Sequence, residues 1–207
     1  MKLQNSTASI LLFFTVLLSS CGKEGSSSTS SEKDFINQKI ISQIVNLPED
    51  EQRTAFRLLN NYEMAFLWSS KLKNVKTSES LSSEQKIFIN ELIDLVNPDL
   101  FLISSKTNIE FKTNLAKNIT QKARMLFGDI NARKLIASVS PYKGGTVTPN
   151  NVDPDEGGVK KCKCSTESNY CDPLAPCDEQ LETVCKHTLM GCGALLLFSC
   201  NGLCRPV

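Results

Sequence analysis

What this chain lacks does much to bound its chemistry. It has one histidine, His187, in 207 residues. A serine nucleophile therefore finds no base in a suitable segment, and no Ser-His-Asp arrangement can be assembled. No glycine-rich loop has the spacing that cradles phosphate, since Gly144-Gly145 falls in a Pro/Gly-rich stretch. An excess of charge of one sign is also missing, with 23 basic against 22 acidic residues. A nucleic-acid or polyanion partner needs a concentrated basic surface, so that balance speaks against one. There is no internal repeat, and between Gly22 and Lys161 there is no cysteine. The acidic residues are spread along expected helix faces rather than paired. These absences predict a protein that is not an enzyme and carries no cofactor and no metal.

The two ends carry the positive signals. The chain opens with a single cation, Lys2, followed by an apolar run from Ala8 to Leu18 and then Leu18-Ser19-Ser20-Cys21. An apolar stretch this short, closing on small residues, reads as a secretory signal rather than a membrane span. Leu18 to Cys21 also resembles a bacterial lipobox, a leucine and two small residues before an invariant cysteine. That resemblance implies cleavage before Cys21 and acylation of its thiol, and two or more acyl chains anchor stably where one binds marginally. An ordinary signal peptide with a cysteine in its flank is the other reading. The expectation is a lipoprotein signal peptide over 1–20, lipidation at Cys21, membrane partnership through that group, and a Ser-rich tether over 21–33.

The other eight cysteines, Cys162, Cys164, Cys171, Cys177, Cys185, Cys192, Cys200 and Cys204, crowd into the last 46 residues. A segment so short buries too little apolar surface to fold unaided and needs staples. Export implies an oxidising compartment, and acylation of Cys21 leaves an even number, so four disulfides are expected with the pairing undetermined. Zinc is the rival. Structural zinc sites favour paired ligands spaced by two to four residues, whereas here the spacers are one, six, five, seven, six, seven and three. His187, two residues after Cys185, reads as a bystander.

Between the ends the signals are helical over 34–140. Phe35, Ile36, Ile40, Ile41, Ile44 and Val45 share a face. Pro48 with Glu49, Asp50 and Glu51 starts a second helix, carrying Ala55, Phe56, Leu58 and Leu59. Asn60-Asn61 is turn-prone, and a third helix follows with Met64, Ala65, Leu67, Trp68 and Leu72. Ser82, with Gln85 three residues on, predicts a capped start for a helix bearing Ile87, Phe88, Leu92, Ile93, Leu95 and Val96. A long helix is expected from Asn108 to Phe127, closed by Gly128, and a last one from Ile130 to Val139. Trp68 is expected in the core. The fold class is thus an all-α N-terminal domain, a helical bundle, plus a small disulfide-rich C-terminal domain over 162–207 with little regular structure. Turn signals at Asp172-Pro173, Pro176 and Asn201-Gly202 leave room in it for a β-hairpin.

Residues 141–161, rich in Pro, Gly, Asn and Asp, read as a linker open to proteases. Glu156-Gly157-Gly158 has the form at which some bacteriocin leaders are removed, and a cut there frees a 49-residue peptide from Val159. The tail itself runs Cys162-Lys163-Cys164-Ser165-Thr166, then Ser168-Asn169-Tyr170-Cys171, then Gly191-Cys192-Gly193 and Cys200-Asn201-Gly202. This pattern resembles fulvocin C, a cysteine-rich bacteriocin, and the whole architecture resembles the fulvocin C-related proteins. It departs from the bacteriocin in the spacing between Cys177 and Cys192. Counted from Lys160 onward, the charge is balanced at five basic against five acidic residues, unlike a cationic lytic peptide. Leu195, Leu196, Leu197 and Phe198, in the run from Ala194, form either the tail's core strand or an exposed contact for a target membrane or receptor. The resemblance implies a lipid-anchored, exported, bacteriocin-like effector of the cell envelope whose tail is released by cleavage. The alternative is a non-toxic surface lipoprotein whose tail is a binding or structural module.

Overall fold

The computed structural model describes residues 36–78, 80–142, 160–171 and 176–205. The signal segment, Cys21, the tether and the Gly157-Gly158 site lie outside the described residues.

Local chemistry sets most helix boundaries. Helix α1 (Gln38–Ile44) starts where the Asn37 side chain accepts from the Ile40 amide. Helix α2 (Glu49–Phe56) follows Pro48, with three acidic residues in its first turn, where the positive end of the helix dipole favours them. Helix α3 (Asn61–Lys76) opens with a reciprocal box. The Glu63 amide donates to Asn60 Oδ1 at 2.9 Å and the Asn60 amide to Glu63 Oε2 at 3.0 Å. The box expected at Ser82 and Gln85 is present at the start of α4 (Ser83–Leu95), with bonds of 3.2 and 2.9 Å.

After a 3₁₀ turn over Pro98–Phe101, helix α5 (Lys106–Glu110) runs through a π turn (Phe111–Leu115) into α6 (Ala116–Ile136). The long helix thus begins a little before the expected Asn108, because Ser105 caps it through the Asn108 amide at 3.0 Å. At Gly128 the backbone leaves the helical region, with φ 74° and ψ 159°. That is the break expected from the glycine, which tolerates a positive φ at no steric cost.

These helices enclose a core around Trp68, Phe56, Phe88, Phe111, Leu135 and Ile136, each under 2 % exposed. The periodic positions Ile40, Leu58 and Ile87 stand exposed instead. Leu58 lies past the end of α2, while Ile40 and Ile87 sit near the starts of α1 and α4.

The tail is built from short ladders. Strands β1 (Lys160–Lys161) and β3 (Cys185–Lys186) pair in parallel, and β2 (Cys177–Glu179) pairs antiparallel with β6 (Gly202–Cys204). Strands β4 (Thr188–Cys192) and β5 (Phe198–Cys200) form an antiparallel hairpin around a 3₁₀ turn at Ala194–Leu196. The hairpin turn therefore falls on the apolar run, not on Asn201-Gly202. The segments expected as two domains lie in one compact unit, Phe35–Val207. The tail's residues Tyr170 and Ala194 to Phe198 belong to the same hydrophobic cluster as the helices.

Candidate functional site

All eight tail cysteines are bridged: Cys162 to Cys185, Cys164 to Cys177, Cys171 to Cys204 and Cys192 to Cys200. The buried cysteines sort into two groups, one holding Cys162, Cys185, Cys192 and Cys200, the other Cys164 and Cys171, with the partly buried Cys177 packed against it. Two sets, Cys162 with Cys185 and His187, and Cys164 with Cys171 and Cys204, bring their donor atoms within 4.8 Å of one another. A zinc ligand is a thiolate, whereas these sulfurs are bonded to each other, so neither set offers the donors zinc requires. His187 places Nε2 2.6 Å from the Gln180 carbonyl oxygen and Nδ1 3.9 Å from Glu182.

The residues between the cysteines hold the tail to itself. The Thr166 amide donates to Asn201 Oδ1 at 3.0 Å, and Asn201 Nδ2 donates to Thr166 Oγ1 at 2.8 Å. Ser168 Oγ accepts from the Ala194 amide at 3.0 Å. A Cβ on Gly193 would stand 2.6 Å from the Ser168 Cβ, and one on Gly202 would stand 2.5 Å from the Asp178 carbonyl oxygen. The first motif thus locks onto the second and third, pair by pair. Ser165 is the exception: it is fully buried and its hydroxyl has no partner, and nothing in the structure explains a serine there.

Other contacts seat the tail on the helices. Tyr170 Oη donates to Thr120 Oγ1 on α6 at 2.7 Å. Burial pushes the phenol's pKa up, against the opposing effects of that bond and of Arg124. Arg124 lies over the Tyr170 ring and donates to the Asn169 carbonyl at 2.9 Å. From α2, Arg53 donates to the Lys163 carbonyl at 2.6 Å while its other terminal nitrogen meets Glu49, also at 2.6 Å. Burial alone would raise the Glu49 pKa, but Arg53 and Arg133 outweigh it and hold the carboxyl below its ordinary range. Asp50 and Lys163 complete the rim at 3.3 Å.

At the centre of this seat is the apolar run. Leu195, Leu196, Leu197 and Phe198 are 0, 1, 1 and 2 % exposed. The Phe198 ring lies 6.5 Å from that of Phe111, and the Lys112 ammonium sits 5.8 Å from its centroid. Of the two readings open for these four residues, burial and exposed contact, the structure has burial, in the core shared with the helices. They do not make a core strand, because three of them lie in or beside a turn. Leu195 and Leu196 both take left-handed φ values, 53° and 58°. Such backbone costs roughly 1–2 kcal/mol per residue, and it persists where surrounding packing over-determines it. The ring of Arg53, Arg124 and Thr120 escaped sequence reading because it spans up to 110 residues of separation with no local pattern.

No protein family, curated protein or solved structure matches this chain.

Proposed function

We propose that this chain is an exported, lipid-anchored protein of the cell envelope in which the four-disulfide tail is a built-in structural or binding module. Burial of Leu195 to Phe198 in the helical core is the observation that carries this reading. A tail made to leave and act elsewhere would take from the body part of its own core. Each large side chain so exposed forfeits about 1.5–3 kcal/mol of burial. Among the described residues no helix is long and apolar enough to cross a membrane; attachment at Cys21 in this reading rests on the lipobox resemblance of Leu18 to Cys21.

A second reading keeps the fulvocin C resemblance as function. The tail is then a bacteriocin-like effector held latent on the helices, with its most apolar segment covered until cleavage and detachment. The fixed residues of the motif favour it less than their number suggests, since Thr166, Ser168, Gly193, Asn201 and Gly202 all have folding roles within the tail.

A protease site placed within 143–159 separates the two. After cutting, the structural reading expects the tail to co-elute with the helices without denaturant and to inhibit no bacterial strain. Spontaneous release with growth inhibition overturns it in favour of the effector. Anchorage is checked by Cys21→Ala, which should move the protein from the membrane fraction to the soluble one.

A further inference from the structure

A pocket of about 360 Å³ opens on the body, away from the tail residues, between α1, α3 and the segment just after α6. Its walls are largely apolar, with Ile41, Val45, Phe66, Val75, Val139 and Tyr142 among them, and Ser42, Ser70 and Asn74 add polar groups. The volume lies at the lower end of the range that holds small-molecule ligands. One charged group lines it, Lys71, which is 7 % exposed.

The surroundings of Lys71 compensate its charge only in part. Its ammonium donates to the Lys134 carbonyl in the last turn of α6 at 2.6 Å and to the Ser138 carbonyl just beyond that helix, and stands 4.9 Å from the Trp68 ring centroid. These are dipoles and a π face. Among the described residues no carboxylate lies within ion-pair distance of it. The closest acidic influence is Glu49 on α2, itself engaged by Arg53 and Arg133. Tyr142 is the other titratable group in the pocket, and α1 contributes only Gln38, Ile41, Ser42 and Val45. Burying a cation without a counter-ion is costly, and the usual remedy is a paired anion.

We propose that this pocket binds a free monocarboxylate with a short apolar body, such as a medium-chain fatty acid, its carboxylate meeting Lys71 and its chain lying along Val45, Phe66 and Tyr142. The ligand supplies the missing negative charge, and the pocket supplies apolar cover for the rest. A polyanion fits poorly, because one cation is present to receive it. The site is separate from the tail and stands whichever reading of the tail is right.

Burial lowers the Lys71 pKa to about 7, with Glu49 opposing that shift. Binding that needs the ammonium is then at full strength below about pH 7 and weakens by about tenfold per pH unit above it, as the competent fraction falls. The chain has one tryptophan, Trp68, and its ring stands 4.9 Å from the Lys71 ammonium, so a change in its emission in the folded protein reads events beside that group.

The test titrates full-length protein with octanoate, octanol and acetate at about pH 6 and about pH 9, reading Trp68 emission and calorimetric heat, with the acidic arm matched to the charged form of Lys71. Saturable octanoate binding at the lower pH, at least tenfold weaker at the higher pH and tenfold weaker for octanol and acetate, is expected. Lys71→Met should abolish it. Ser70→Phe, which leaves the ammonium in place and fills the pocket, should abolish it too and guards against misfolding of the first variant. Equal binding of octanoate and octanol, binding unchanged in either folded variant, or no saturable octanoate signal overturns the proposal.

Discussion

The helical body and the cysteine tail solve the same problem, fixing a chain in one conformation, by opposite means. The body has no disulfide among its described residues and relies on capped helices around large buried side chains. The tail has strands of two to five residues and four bridges. Yet the tail's own sulfur clusters are small, and its largest apolar segment is placed in the body's core instead. Disulfides restrict the unfolded chain and so substitute for a core. They do not remove the cost of exposing Leu195 to Phe198, and docking does. The difference teaches that staples fix the tail's shape while the body fixes its position.

The largest expected effect comes from the shared segment. Phe198→Ala should destabilise the whole unit by about 3–5 kcal/mol, with helical circular dichroism and Trp68 fluorescence lost in one coincident urea transition. Two separate transitions would break the picture of a common core. Removing the Cys192 to Cys200 bridge by double alanine substitution comes next. It closes a span of only 8 residues, so the loss should sit near the low end of the usual range, about 2–3 kcal/mol. Because the bridge frames the left-handed turn, protease cleavage at Leu195 and Leu196 should appear at the same time, seen by mass spectrometry. Ser82→Ala probes the body alone. It should cost about 1 kcal/mol by chemical denaturation and leave the tail's protease resistance unchanged. Smallest of all is Lys163→Ala. Its ion pair with Asp50 is roughly half-exposed on both sides, and such pairs contribute at most about 1 kcal/mol. A larger loss would mean that the rim, not the apolar run, seats the tail.

The body was legible in the sequence wherever a signal was local. Ser82 with Gln85, Pro48 before three acidic residues, and Gly128 each act within a turn of their own position, and each appears in the structure as read. Ile40 and Ile87 were misleading because periodicity reports an apolar face but not what lies opposite it, and Leu58 because the helix that was to carry it ends at Phe56. The π turn at Phe111–Leu115 left no sequence signal that would have revealed it. Lys71 could not be singled out either, since a lysine among helical residues is ordinarily solvated, and its carbonyl partners are more than 60 residues away.

By itself the sequence determined the helical class of the body, most helix starts and stops, and the crowding of eight cysteines that demands bridges. Capping, glycine and proline effects, and the even count of thiols all act through neighbours in the chain or through composition. Tertiary structure alone decided which cysteine meets which, that Thr166 answers Asn201 and Ser168 answers Gly193, and that the run from Ala194 to Phe198 turns inward. Those outcomes depend on surfaces brought together from segments up to 110 residues apart. There the free energy of burial favours one arrangement of the whole unit over what each segment would adopt alone.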